Sequence, residues 1–278
     1  MKKLSYLFLA STSFGKQILM ALLHKGYIPE AIFSIPEYFT ISYAKEKVHN
    51  CDFFDFSFIA NQYEIPFYWV ESPLNSLIKY KECIAKYKVD FMLVAGWYYK
   101  IPFEIYSLSK MGAFGFHNSL LPKYAGGAPL VWAIINGERE AGVTLFRMNE
   151  IMDYGDIISQ KCFAIQENDT IAEVLEKAKQ IAVGMSIDLF EKEITFTPQK
   201  EMPQYYPQRS CEDGKIDLTW DSLKIYNFIR AQSDPYPGAY IETIDGKRLV
   251  IDKARIIGGG GGQINYLQPC LVQYKVAA

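Results

Sequence analysis

The stretch LSYLFLASTSFGKQILMALLHKG, residues 4–26, decides the fold. Leu4–Leu9 is a short apolar run of strand length. Ser11, Thr12 and Ser13 then offer helix caps, since a hydroxyl oxygen there can accept from an orphan backbone N–H. From Phe14 to Lys25 the apolar residues Ile18, Leu19, Leu22 and Leu23 recur at helical spacing, and Gly26 stops the helix. A strand feeding directly into a helix opens a βα unit. Further along, Ala31–Ile35, Phe67–Val70, Asp90–Ala95 and Ala113–His117 read as strands, with a helix near Leu77–Tyr87. Strands separated by helices at this interval predict an open, mostly parallel sheet.

That fold class is α/β with a Rossmann-like layer, so a dinucleotide site is the first function to test. It fails: the turn Ala10–Gly15 holds one glycine where the fingerprint needs three, and no Walker lysine motif exists. After Pro122 the pattern changes. Pro129–Asn136 reads as a short helix, Gly142–Met148 and Ile157–Phe163 as strands, and Ile171–Phe190 as a long helix. Gln199–Pro207 is rich in proline and tyrosine, a linker by composition. Beyond it come a helix (Ser222–Arg230), two strands (Ala239–Ile244 and Arg248–Ile251) and the run Gly258–Gly262, read as a hinge or tail. The expected organisation is a catalytic domain over 1–198, a linker over 199–207 and a small C-terminal subdomain over 208–278, α+β and partly barrel-like.

Composition narrows the function. The chain has 278 residues, half of them hydrophobic, so it can bury a sizeable core. A net charge of −2 is too balanced for a protein that lives on nucleic-acid electrostatics. The apolar run after Lys2 and Lys3 is too short for a signal segment, and nothing approaches a membrane span, so a cytoplasmic protein with no membrane partner is expected. Five scattered cysteines (Cys51, Cys83, Cys162, Cys211, Cys270) read as reduced thiols; with only His49 near Cys51, no metal is expected. Twenty tyrosines supply either plain bulk or stacking surface for flat heterocycles.

The chemistry lies between residues 112 and 160, GAFGFHNSLLPKYAGGAPLVWAIINGEREAGVTLFRMNEIMDYGDIISQ. A buried strand ends in His117, at the carboxyl edge where doubly wound sheets bind ligands. A second turn, Asp153-Tyr154-Gly155-Asp156, can bring a carboxylate beside that imidazole. Histidine with aspartate is the minimal proton-handling pair. Periodicity alone leaves a capped turn and a hydrogen-bonded histidine open as the alternative.

His117 with Ser119-Leu120-Leu121-Pro122, followed by Asp153-x-Gly155, resembles the signature of the formyl-tetrahydrofolate-dependent formyltransferases. The likeness extends upstream through Gly96-Trp97-Tyr98-Tyr99-Lys100-Ile101-Pro102. Downstream it takes in Arg209–Gly214, Asn227–Ala231 and Asp234–Tyr240. It is most similar to the sugar-nucleotide N-formyltransferases, including the formyltransferase half of the lipid A aminoarabinose enzyme, over about residues 4 to 256.

The resemblance implies direct attack of a substrate amine on N10-formyl-tetrahydrofolate, with no metal. His117 and Asp153 would be catalytic. Tyr99, Lys100, Ile101, Ser119, Met152 and Tyr154 would hold the folate. Lys123, Tyr124, Arg209, Asn227, Arg230 and Tyr236 would hold a UDP- or dTDP-linked amino sugar. No nucleic acid is implied, and a homodimer is allowed for. Two positions depart from the family pattern: its asparagine two residues before the histidine is Gly115, and its arginine in K-Y-R-G is Ala125. Asn118, next to His117, is the candidate to supply the missing amide. Methionyl-tRNA formyltransferase and a folate-binding pseudo-enzyme are the competing identities.

Overall fold

The computed structural model describes residues 4–40, 47–50, 52–71 and 77–257. Cys51, Cys270 and the Gly258–Gly262 run lie outside them. In chain order the elements begin with β1 (Tyr6–Ala10), α1 (Ser13–His24), β2 (Ala31–Ser34), and a short hairpin of β3 (Tyr38–Phe39) and β4 (Val48–His49). Then come α2 (Ser57–Gln62), β5 (Phe67–Trp69), α3 (Lys81–Tyr87, entered through a 3-10 turn at Leu77–Tyr80), β6 (Phe91–Ala95), α4 (Phe103–Tyr106) and β7 (Ala113–His117). They are followed by β8 (Ala125–Gly126), α5 (Pro129–Ile135), β9 (Glu140–Arg147), β10 (Ile157–Ala164) and α6 (Ile171–Glu191). The last are β11 (Tyr205–Tyr206), α7 (Ser222–Arg230), β12 (Ala239–Glu242) and β13 (Arg248–Ile251).

Seven strands form one sheet in the order β10-β9-β7-β6-β1-β2-β5. The β5-β2-β1-β6-β7 run is parallel and β9 joins β7 antiparallel. This is the mostly parallel α/β sheet the sequence predicts. Every residue of β1 and β6 is buried, because a central parallel strand is covered on both faces and must be apolar on both. Phe14, Ile18, Leu19, Leu22 and Leu23 form the buried stripe of α1.

The chain builds outward from β1 through β2 to β5, then crosses to β6 on the other side. Such a switch point is where a doubly wound sheet usually opens a ligand crevice. Here the ends of β1 and β6 are stitched together. Ser11 donates to the Gly96 carbonyl through both its N–H (3.1 Å) and its hydroxyl (3.0 Å). A Cβ on Gly96, whose φ is +67°, would lie 1.9 Å from Thr12 Oγ1. This fits the missing dinucleotide fingerprint.

Contacts divide the chain into two compact units. The first comprises Met1–His117, Val143–Lys161 and Lys179–Pro203; the second comprises Asn118–Gly142, Cys162–Ala178 and Gln204–Ala278. In the second, Ile216, Phe228, Ile229 and Ala239 make a small core against Ile135, Trp220 and Ile251. There β12 pairs antiparallel with β13, and β11 pairs parallel with β8. Within 199–207, therefore, Tyr205 and Tyr206 are in a strand. Among the described residues no helix is long and apolar enough to cross a membrane, and no group of three or more potential ligands could hold a metal ion.

Asp90, just before β6, accepts from the Ser5 N–H (2.9 Å), the Ser5 hydroxyl (3.0 Å) and Lys110 Nζ (2.7 Å). Burial pushes this carboxyl up, but the hydrogen bonds from Lys110 and Ser5 outweigh it and hold the group at about 2. A carboxyl held below its unfolded value of about 3.9 stabilises the fold above that pH and loses its effect as pH falls towards about 2. Lys110 is 59% exposed, so solvent screening leaves ~1 kcal/mol. Urea titrations should therefore find Asp90→Asn about 1 kcal/mol less stable than wild type at neutral pH, with the gap closing from about pH 4 towards about pH 2.

Candidate active site

β7 is clamped between β6 and β9, and its last residue is His117. In the antiparallel register His117 faces Thr144 and Gly115 faces Phe146. Directly opposed residues, and alternate residues of one strand, point to the same side, so these four share a face. Thr144 is fully buried and its Oγ1 accepts from Gln160 Nε2 at 2.9 Å. His117 is 9% exposed.

Asp153 comes from the turn between β9 and β10. The turn is closed by the Arg147 N–H donating to the Asp156 carbonyl (2.8 Å) and by an ion pair between the same two side chains. Gly155 makes that closure possible: a Cβ there would lie 1.4 Å from the Arg147 carbonyl oxygen. Gln199, itself buried, donates from Nε2 to the carbonyls of Asp153 (3.0 Å) and Gly155 (2.9 Å). Asp153 is held at φ +54°. The result is His117 Nδ1 3.7 Å from Asp153 Oδ2, with the two side chains 10% and 15% exposed. That distance suits an ion pair and is longer than a direct hydrogen bond; catalytic contacts often tighten only with substrate bound.

The other first-unit candidates lie on two loops. Tyr99 and Ile101 are buried and Lys100 is exposed. Tyr99 meets Phe39 and Trp97 edge-on at 5.6 and 6.1 Å, and Trp97 Nε1 is buried without a hydrogen-bond partner. Met152 is largely exposed and Tyr154 half-buried on the Asp153 turn.

The remaining candidates belong to the second unit. Asn118 follows the end of β7, where the chain bends, and its Oδ1 is buried without a partner. The Ser119 hydroxyl donates to the Lys123 carbonyl (2.6 Å), closing its own loop, and the Lys123 side chain is exposed. Tyr124 stacks on Tyr206 at 4.7 Å and donates to Glu138 Oε1 at 2.8 Å. Arg209 lies against the rings of Trp132 and Phe228 and donates to Gln232 Oε1 at 2.8 Å. Tyr236 is exposed. Asn227 and Arg230, expected among the acceptor contacts, are buried. Arg230 Nε donates to Asn227 Oδ1 (2.9 Å) and Nη1 to the Asp169 carbonyl (2.7 Å), so the guanidinium is committed to the interior. Spacing placed these two residues on one face; it could not say which face is covered.

Gln199, Thr144 and Met148 escape a reading of the sequence. Thr144 could have been found from the strand register, but nothing marks Gln199 in a tyrosine- and proline-rich stretch. Gly155→Ala should cost about 3 kcal/mol or more, because the Arg147 carbonyl leaves no room for a methyl group. Thermal unfolding would check this, and an unchanged midpoint would refute the account of the turn.

Comparison with known proteins identifies the family. The Formyl transferase family matches residues 10–187, and the Formyl transferase C-terminal domain matches residues 209–269. Methionyl-tRNA formyltransferase of Lactobacillus gasseri is 32% identical over 256 residues, covering 90% of this chain and 79% of that protein. The bifunctional polymyxin resistance protein ArnA of Wigglesworthia glossinidia brevipalpis is 35% identical over 204 residues, covering 70% of this chain and 30% of that protein. Among solved structures, WlaRD, a sugar 3N-formyl transferase determined with dTDP and 5-N-formyl-THF, superposes with a TM-score of 0.62 at 20% identity, covering 91% of this chain and 86% of that one. With its own His117 and Asp153 brought together at the carboxyl end of β7, this chain belongs to the formyl transferase family.

Proposed function

We propose that this enzyme moves a formyl group from N10-formyl-tetrahydrofolate to the amine of an amino-deoxy sugar nucleotide. The observation that carries the chemistry is the His117–Asp153 pair at 3.7 Å, built into a strand end and a tightly closed turn. The sugar-nucleotide acceptor is supported by the likeness to WlaRD and by a net charge of −2, which gives little attraction to RNA. On this reading residues 1–198 form the catalytic region, 199–207 a linker and 208–278 a small C-terminal region. The protein works in the cytoplasm, towards surface glycans.

The residues present suit a folate. Trp97 Nε1 is a buried donor with no partner inside the protein, beside the main chain of Tyr99, Lys100 and Ile101. A pterin edge is a fixed array of donors and acceptors, which such a segment can match; Met152, Tyr154 and Ser119 are the further proposed contacts. The folate supplies an activated formyl carbon. His117 then donates from its imidazole to the carbonyl oxygen as negative charge grows there, and afterwards hands a proton to the departing nitrogen. Asp153, facing Nδ1, fixes the ring and stabilises its charged form, and draws the ammonium proton off through water. Lys123, Tyr124, Arg209 and Tyr236 are the proposed acceptor contacts.

A second reading, methionyl-tRNA formyltransferase, is favoured by the 32% identity to the Lactobacillus protein over most of both chains. Formyl-transfer assays with UDP- and dTDP-amino sugars and with methionyl-tRNA decide between the two. Transfer to the tRNA alone would overturn the sugar assignment. His117→Ala should retain tetrahydrofolate binding by calorimetry and lose at least ~10² in turnover; a near-wild-type rate would remove His117 from the mechanism. Asp153→Asn should lower turnover by ~10-fold or more while the donor Kd changes little, because the carboxylate acts through the imidazole. An unchanged rate would exclude it.

A further inference from the structure

On the face shared by Gly115 and His117, the strand carries no side chain at 115, yet the space is filled. A Cβ built on Gly115 falls 2.4 Å from Met148 Cε, 3.5 Å from its Cγ and 3.6 Å from its Sδ. Met148 directly follows β9, and its N–H donates to the Ala113 carbonyl at 2.7 Å. Its side chain packs on the buried cluster that includes Leu7, Val94, Ile101 and Ala113. The thioether therefore lies against Gly115, two residues along the strand from the imidazole. What a new side chain would meet is the far end of a flexible chain with three rotatable bonds, not a fixed wall.

We propose that Met148 occupies the place of the side chain missing at 115, so that Gly115 and Met148 together set the polarity of the space beside His117. Met148 is a positioning residue in this sense. Its sulfur is at most a weak acceptor and offers no proton. It keeps water from the flank of the imidazole and contributes nothing to an oxyanion. A side-chain amide at 115 can then assist only if Met148 gives way. The proposal rests on the formyl-transfer reading and deepens it at that same site.

Two measurements test it. The first is a cycle of wild type, Gly115→Asn, Met148→Ala and the double variant, assayed for kcat and donor KM. Gly115→Asn alone should change kcat by less than ~3-fold, because the amide competes with Met148 for one volume. The double variant should exceed wild type by ~10-fold or more, since one oxyanion donor is worth ~10²–10³ when well placed. Strict additivity, or a full gain from Gly115→Asn alone, would overturn the pairing. The second is NMR of protein labelled at the methionine methyl carbons, with the Met148 signal assigned by its loss in Met148→Leu. That signal should move in Gly115→Ala and again on adding 5-formyl-tetrahydrofolate. A methyl signal indifferent to Gly115→Ala overturns the pairing whatever the activity. A signal that responds in a protein transferring formyl to no acceptor upholds the pairing and removes the formyl-transfer reading instead.

Discussion

Gly155 has no room for a side chain because the Arg147 carbonyl oxygen stands where its Cβ would go, and the position of Asp153 follows from that contact. The turn can close only at van der Waals contact between two backbones. Once closed, it carries Asp153 in a left-handed conformation, supported from below by Gln199. The other half of the pair is fixed independently, by hydrogen-bond ladders on both edges of β7. Two rigid supports, a strand end and a glycine-closed turn, thus meet at an imidazole and a carboxylate. In the direct transfer proposed above, preorganisation of this kind matters because the protein's contribution is position and field.

Much of the fold was legible because its signals are local. Ala113–His117, Ser222–Arg230 and Arg248–Ile251 have the observed limits, and the long helix Ile171–Glu191 differs from its expected span by one residue. What the pattern missed is either short or non-local. The two-residue strands of the β3–β4 hairpin and the four- and six-residue helices α4 and α2 are too brief to show a period. The pairing of Ala125–Gly126 with Tyr205–Tyr206 joins segments about eighty residues apart, which no window along the chain can see. At the site, the strand end and the turn residues made His117 and Asp153 candidates, and the family resemblance gave them their roles. Arg230 shows the limit: a basic residue on a helix reads as solvent-facing until tertiary packing supplies Asn227 and a carbonyl to satisfy it.

The departures at Gly115 and Ala125 are absorbed in different ways. Ala125 is fully buried in β8 and its N–H donates to the Gln204 carbonyl, so this position is occupied by backbone pairing. Gly115 leaves a volume that a neighbouring thioether enters. In neither case does the strand geometry around the change break. The chain keeps its architecture while the chemistry of individual side chains varies over it, the usual relation between a fold and the sites grafted on it.

The stitch between Ser11 and Gly96 has a counterpart at the other end of the same strand, where Ser5 binds Asp90. Both links span 85 residues, so β1 and β6 are fastened at each end across the same long loop. Closing a loop of that length costs about 4 kcal/mol in chain entropy before either link repays it. On the ribosome, the first strand and helix emerge long before their central partner exists. β1 can meet β2 early, but its β6 side stays open until residue 96 has left the exit tunnel, when more than a quarter of the chain has followed the opening βα unit.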